Sequence, residues 1–600
     1  MAHARTRIAR LVVSILGVAA VSAALVLPAT AGAPAGAATI ARPAGAGPPV
    51  AASGMGTQAA LDNPRCRHDD PKYGPYGRFD STEIGGGPVC VKEWKPGADN
   101  GGATAQGVTK DRILVVALVP NDAQNKADPV APKNRADNSP STIQNALHDW
   151  MIPQMKFYET WGRDIEVKFV TSTGDDETAQ RADLLTMTAM KPFAAVILAQ
   201  PVHGTFKVIE NGLAQAKIMT MGYAALPKDS AAQDPYRWNS NDPQAAVVSS
   251  AEVVGKQLVG KKAQYGGDAV KNQTRKFGAV YVEDAIDYPS FVTGLAKYGG
   301  KVANAASFTA DASSDPSQLQ TQSATIAAKM KDAGVTTIVM FVGYPQFTPL
   351  MQAATKLDYF PEWFFTGSGY SDLGLVARGY PTEQSAHAFG ISFIPPWVEP
   401  ETPPAGQESY ADQVDPLNWY WGLDAGSLNA RLDTPISWWL LTGIQAAGPH
   451  LTPKTFKQGL FALPPSGGPA TGTPQTALLA YGKGPKLPYN EYALSGYDFA
   501  PYWWDPNTSG PSNGLGTEGK GVGFFPDGAK RYVATTWPKK QFAWFDKSTS
   551  IDGFATPPTP NLGYAGDCKG CPATGGPGSP GAPSQTDVVF KAGGTGAAAA

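Results

Sequence analysis

The chain has 600 residues, and a single hydrophobic core stops growing at roughly 250–300 residues, so more than one domain is required. Its 49 Lys+Arg nearly cancel 51 Asp+Glu, leaving a net charge of -2, which excludes a strongly basic nucleic-acid binder and a polybasic membrane anchor. Hydrophobic residues at 42% supply sizeable cores, while 66 Gly and 53 Pro call for much irregular chain between them.

Arg5, Arg7 and Arg10 precede an apolar run from Leu11 to Leu27, and Ala29-Thr30-Ala31 follows as a small-residue cleavage site. Residues 1–31 therefore read as a secretory signal peptide. The run is shorter than the roughly 20 residues a spanning helix needs, and Ser14 and Gly17 interrupt it. The chain is expected to be exported, to an extracellular or periplasmic location. No Cys stands at the cleavage site, so it is not expected to be lipid-anchored. Residues 32–104 read as a leader carrying a Cys66/Cys90 loop.

The four cysteines are Cys66, Cys90, Cys568 and Cys571. An even number in an exported chain favours disulfides. Cys66–Cys90 would close a loop in the leader and Cys568–Cys571 a short ring in the tail; the crossed pairings stay open. A redox C-x-x-C is weaker, because Cys568 and Cys571 lie in Gly/Pro-rich chain and not at a strand-to-helix turn. A zinc site is weaker still, because the two pairs are about 480 residues apart.

Ile113 to Val119 is a near-continuous β-rich run, the pattern of a strand buried on both faces. Ser141 and Gln144 form a capping-box pattern, followed by Ile143, Leu147, Trp150 and Met151 at helical spacing. Ile165–Val170 reads as a strand. Thr178–Met190 reads as a helix with Ala182, Leu185 and Ala189 on its apolar face. Ala194–Ala199 is a strand, 206–216 a helix and 218–221 a strand. After Asp242 the pattern restarts: helix 245–259, strand 277–282, helix 288–298, strand 302–308, helix 319–333, strand 336–342, helix 346–356, strand 363–366, strand 389–394. Strands alternating with helices imply parallel sheets with right-handed crossovers, and two such units of similar layout follow one another. Residues 436–447 and 455–460 read as helices, 464–530 as loop-dominated, and 557–600 as a disordered tail.

Several segments resemble one known family. Gly107-Val108-Thr109-Lys110-Asp111-Arg112-Ile113 is similar to the lead into the first strand of branched-chain-amino-acid-type solute-binding proteins. Thr178–Ala182 with Ala194–Ile197 is similar to the family's helix and next strand. Tyr236–Asp242 resembles its first crossing between lobes, and Pro435–Gly448 with Leu451–Phe456 its late return helices. Trp503-Trp504-Asp505-Pro506 and Lys530-Arg531-Tyr532 resemble the C-terminal region of secreted actinobacterial-type members. The resemblance, over about residues 105–545, is to the type I periplasmic-binding-protein family of ABC transporter substrate-binding proteins. It implies an α/β fold of two Rossmann-like lobes with parallel sheets joined by a multi-strand hinge. The lobes would interleave: 105–238 in lobe 1, 239–380 in lobe 2, 381–455 returning to lobe 1 with an insertion, and 456–556 completing lobe 2 with insertions. It also implies a non-catalytic protein without cofactor, a small-molecule ligand, and an ABC-type importer permease as partner.

In open parallel sheets, ligands bind beyond the carboxyl ends of the strands. That rule selects Asp122 after the first strand, with Asn121 and Gln124 beside it. Gln200 and His203 follow the second strand and Tyr223 the third. In the second unit it selects Glu283, Asp284 and Tyr288, then Tyr344, then Ser368 and Tyr370. A carboxylate such as Asp284 or Glu283 could pair an ammonium, while helix N-termini and hydroxyls hold a carboxylate. The Trp residues 419, 421, 438, 439, 503 and 504 read as packing. Gly514–Gly519 matches G-x-G-x-x-G but lacks the flanking strand and helix. Gly510–Gly514 matches G-x-S-x-G around Ser512, yet Pro511 and Asn513 in irregular chain do not make a nucleophile elbow. The competing readings are an extracellular ligand sensor of the same fold and, third, a secreted hydrolase.

Overall fold

The computed structural model describes residues 52–68, 71–79, 88–127, 140–199, 206–309, 316–369, 371–372, 374–394, 396, 433–465, 477–482, 489–494, 497–510, 519–553, 587–592 and 596–597. The expected signal peptide, the Cys568/Cys571 ring, Trp419, Trp421 and the Gly514 and Ser512 motifs lie outside the described residues.

The leader pairs β1 (Cys66–Arg67) with β2 (Arg78–Phe79), and Cys66 is disulfide-bonded to Cys90. Met55, Phe79, Val89 and Val91 are buried in the core of the lobe that follows, so the leader is part of that lobe.

The first lobe is built from β3 (Arg112–Val119), helix α1 (Pro140–Phe157), β4 (Asp164–Thr171), α2 (Glu177–Ala189), β5 (Ala194–Ile197), α3 (Lys207–Gln215), β6 (Met219–Ala224) and β7 (Arg237–Asn241). The five strands are parallel, in the order β4-β3-β5-β6-β7. Helix α2 starts where Asp176 accepts hydrogen bonds from the Thr178 and Ala179 amides, an N-cap. Its buried face is Gln180, Asp183 and Met187, and Leu185 is 72% exposed, so the expected apolar face is corrected. The reason is polar: the Asp183 carboxylate accepts from Ser172 Oγ and from the Thr173 amide and hydroxyl, which turns that face toward the end of β4.

The second lobe follows with α4 (Pro243–Val253), β8 (Phe277–Val282), α5 (Tyr288–Ala296), β9 (Val302–Phe308), α6 (Pro316–Asp332), β10 (Thr337–Phe341), α7 (Tyr344–Lys356), β11 (Glu362–Phe365) and β12 (Ala388–Ser392). Its parallel strands lie in the order β9-β8-β10-β11-β12. Counted within each lobe, both sheets have the order 2-1-3-4-5, the doubly-wound order of flavodoxin-like sheets. The expected fold class, two Rossmann-like lobes with parallel sheets, is what the chain adopts.

Later segments depart from expectation. Strand β12 stays in the second sheet, between β11 and an antiparallel strand, so the return to lobe 1 does not begin at 381. It begins beyond residue 394, with a π-helical stretch Asp433–Leu441, α8 (Thr442–Ala447) and α9 (Pro453–Ala462). Their Ile436, Trp439, Ile444, Phe456 and Leu460 fill the first-lobe core, so α9 belongs to lobe 1 rather than to the end of lobe 2. The 464–530 region carries two long strands, β13 (Asp498–Ser509) and β14 (Lys520–Pro526). With β15 (Tyr532–Val533) and β16 (Ser550–Asp552) they extend the second sheet antiparallel. Pro501, Asp505, Pro506 and Asn507 inside β13 hide it from propensity. Trp503 and Trp504 are buried in the two apolar layers on either side of that sheet, as packing residues. The expected tail is ordered in part: β17 (Asp587–Phe590) pairs antiparallel with β4, and β18 (Gly596–Ala597) pairs with β17.

Candidate functional site

Three connections join the lobes. The first leaves β7 at its carboxyl end through Asp242 into α4, and the second leaves β12 at its carboxyl end through Phe393 and Ile394. The third runs through 489–494 into β13, with Tyr492 and Leu494 in the first-lobe core and Tyr489 and Tyr497 in the second. Because the first two depart from strand carboxyl ends, one in each lobe, the carboxyl edges of both sheets adjoin the same junction. In a 2-1-3-4-5 sheet the crevice opens between strands 1 and 3. That selects the ends of β3 and β5 in lobe 1, and of β8 and β10 in lobe 2.

At the end of β3, Asn121 is spent on its own turn. Its side chain donates to Ser172 O at 3.1 Å and accepts from the Gln124 amide. Asp122 follows, exposed and without a partner among the described residues. Gln200 and His203, beyond β5, lie outside the described residues, as does Tyr370. Tyr223 lies next to the last residue of β6, one strand further along; its side chain is outside the described set.

In lobe 2, Glu283 follows β8, exposed, and accepts from Ser307 Oγ at 2.9 Å. Asp284 is exposed in a turn at φ 58, a left-handed conformation that Asp tolerates better than most residues. Tyr288 opens α5 and stacks on Tyr281 with ring centroids 4.7 Å apart and planes 11° from parallel. Burial and the neighbouring Tyr281 push the Tyr288 phenol above its usual pKa, so it stays neutral. Tyr281 was not selected from sequence, because it sits inside the strand pattern; only its place one residue from the strand end pointed to it.

Tyr344 opens α7, whose cap residue Gly343 makes no side-chain capping bond. In that first turn Pro345 has no N–H and the Gln346 amide donates to Gly343 O at 3.2 Å, so the helix start offers an anion the Tyr344 amide and the helix dipole rather than a row of free amides. Gln346, the third residue of the helix, is buried and its Oε1 has no partner among the described residues. The loop after β11 closes on the same turn. Gly369 has φ +59, and a Cβ there would stand 2.5 Å from Gly343 Cα, so glycine is required. Ser368, half-buried, accepts from Thr366 Oγ1 at 3.0 Å, and its carbonyl is taken by Ser371. Asp284, Glu283 and Tyr288 thus stand at the crevice of lobe 2, as does the backbone of Tyr344, whose side chain is outside the described set, and Asp122 stands at that of lobe 1. Tyr223 and Ser368 sit one strand away.

Among the described residues no group of three or more His, Cys, Asp or Glu could hold a metal ion, and no helix is long and apolar enough to cross a membrane.

No protein-family model matches the chain, and no curated protein matches it. Solved structures resemble it. A solute-binding protein of an ABC transporter from Rhodopseudomonas palustris HaA2, in complex with p-hydroxybenzoic acid, is 12% identical, with TM-score 0.42 over 72% of this chain and 98% of that one. An ABC transporter substrate-binding protein from Aeropyrum pernix is 13% identical, with TM-score 0.44 over 71% and 97%. A fatty acid ABC transporter substrate-binding protein from Thermomonospora curvata is 14% identical, with TM-score 0.40 over 67% and 91%. At these values the likeness adds nothing to the strand order described above.

Proposed function

We propose that the chain is an exported, non-catalytic solute-binding protein that captures one small molecule between its lobes and hands it to an ABC-type importer permease. The observation that carries the reading is the duplicated 2-1-3-4-5 sheet with both carboxyl edges beside one junction. Such a layout offers two facing crevices to a single ligand, and connections that permit hinge closure. The solute proposed is amino-acid-like. Asp284 and Glu283 would pair its ammonium, the uncapped start of α7 would hold its carboxylate, and the Tyr281–Tyr288 stack would form a wall. Asp122, Gln200, His203, Tyr223, Tyr344, Ser368 and Tyr370 complete the proposed lining.

The test is a thermal-shift panel of amino acids, amines, aromatic acids and fatty acids. A bound solute at a hundredfold excess over its Kd adds about 2.7 kcal/mol to stability. An amino-acid-like compound is expected to raise Tm by several degrees, and the shift to vanish in Asp284→Ala. A shift produced by compounds without an ammonium, or one left intact in Asp284→Ala, rejects this ligand class.

A further inference from the structure

Three buried carboxylates stand at the three connections between the lobes, and their bonding differs. Asp498 enters β13, accepts from the Leu478 amide, and is ion-paired with buried Arg531, which also donates to Phe393 O at 2.7 Å on the second connection. Asp372 accepts from Ser392 Oγ at 2.5 Å where the second connection leaves β12, and its Oδ1 has no partner. Asp242 spends both oxygens, one on the helix it caps and one across the junction. Oδ1 accepts from the Gln244 amide at 2.9 Å, capping α4 of lobe 2, and Oδ2 accepts from the Asn490 amide at 2.9 Å on the third connection. Asn490 in turn holds lobe 1, donating to Ala225 O at 2.9 Å and to Ser230 Oγ at 3.1 Å. Asn239 of β7 closes the knot: its amide donates to Tyr492 O, its carbonyl accepts from the Leu494 amide, and its side chain donates to Ser230 Oγ.

We propose that Asp242 is the clasp of the lobe junction and that protonating it loosens the junction, so that the lobes of the ligand-free chain spread further apart in mildly acidic solution. A carboxylate accepts on both oxygens, whereas a carboxylic acid turns one of them into a donor. A proton carried on Oδ2 therefore gives up the Asn490 bond, which joins the first connection to the third, while the Gln244 bond remains as the local cap of α4. Asp372 can take a proton on its free oxygen without losing a bond, and Asp498 keeps its guanidinium partner. Only Asp242 converts a proton into a lost contact across the junction.

Burial pushes Asp242 up to about 6, against the three backbone amides that oppose the rise, so the change falls in an ordinary buffer range. The groups facing it are accounted for. Tyr489 and Tyr497, stacked 4.8 Å apart on the third connection, feel its charge and are held neutral by burial. The other charges near those rings are Glu491 and Glu252, the latter ion-paired with Lys256. The clasp does not depend on which solute binds, so failure of a ligand panel leaves it standing.

The experiment is small-angle scattering of the ligand-free chain from pH 7.5 to 5, for wild type, Asp242→Asn and Asp372→Asn. The wild-type radius of gyration is expected to rise on acidification. Asp242→Asn is expected at the acid value throughout, and Asp372→Asn to follow wild type. Hydrogen exchange of the Asn490 amide, corrected for intrinsic rate, reads the same bond in the wild-type chain. Its protection is expected to fall by about tenfold, the weight of one bond to a charged group. A wild-type radius and Asn490 protection that do not change with pH overturn the proposal, as does a pH response that persists in Asp242→Asn.

Discussion

Arg163 is fully buried and has no carboxylate partner. Its guanidinium donates to four backbone carbonyls: Thr109 at 2.8 Å, Pro449 at 2.7 Å, Asn100 at 2.5 Å and Gly102 at 3.2 Å. One side chain thereby ties the leader, the approach to β3 and the turn before α9. Burial lowers its pKa to about 10, so it remains charged at neutral pH. Arg163→Met would strand those carbonyls at about 1–3 kcal/mol each, and Arg163→Lys cannot reproduce the planar fork. Both variants are expected to lower Tm strongly, Met more than Lys; a Tm within a degree of wild type in Arg163→Met would falsify this role. Gln154 is the opposite case. It shares a face of α1 with Trp150, which donates to Ser437 Oγ at 3.3 Å, and precedes by one turn Tyr158, just past the helix end, whose hydroxyl lies 3.5 Å from Thr442 Oγ1. Neither end of its buried amide has a partner. Gln154→Met keeps the volume and removes the unpaired polar atoms, so it is expected to raise Tm. A fall in Tm would point to an ordered water bridging that amide. Neither residue was legible in the sequence, because an isolated Arg or Gln carries no periodicity; what makes them important is long-range geometry. The position of Glu283 and Asp284 just past β8 was legible, since a strand pattern ending in polar residues marks its own carboxyl end.

Among the elements, β17 contributes more than its four residues suggest. Val588 and Phe590 are buried in the first-lobe core, and Val589 between them is buried too. Lys591 Nζ pairs with Asp164 Oδ2 at 2.9 Å, and the Ala592 amide donates to Asp164 Oδ1 at 3.0 Å. Burying such side chains is worth about 1.5–3 kcal/mol each, and the strand covers the β4 edge that would otherwise invite pairing. A chain ending at residue 586 is expected to melt several degrees lower and to self-associate. Calorimetry and sedimentation read the two effects, and unchanged values in both contradict the role. Sequence missed β17 because four residues inside Pro/Gly-rich chain give no pattern, and β13 because Pro and Asp interrupt it. The parallel strands β3, β8, β9 and β10 were legible because each is a run of apolar and small residues bounded by turn residues. The face of α2 was misread because Asp183, not an aliphatic, decides which side is buried.

For the whole molecule, the buried clasp links stability to pH. Unfolded Asp242 titrates near 3.9 and folded Asp242 at about 6. The folded chain binds the proton more tightly, so the stability from this group is full below about pH 4 and lost as pH rises through about 6. Two pKa units correspond to about 3 kcal/mol. The stability of wild type relative to Asp242→Asn is therefore expected to increase as pH falls from 7.5 to 5, measured by denaturant titration. A constant difference removes the linkage. Read with the scattering series, this separates a looser junction from an unfolding one, since acid would spread the lobes while strengthening the folded chain. The lobe count and repeated layout were legible from the restart of the pattern after Asp242, but the junction was not, because its bonds join residues about 250 positions apart along the chain.

The central claim is that one small solute sits between the lobes, and native mass spectrometry of the chain purified from its own host tests it most directly. The account predicts a 1:1 small-molecule adduct that is released on denaturation and absent from the Asp284→Ala chain. A bare polypeptide mass that stays bare after incubation with the amino-acid panel contradicts it.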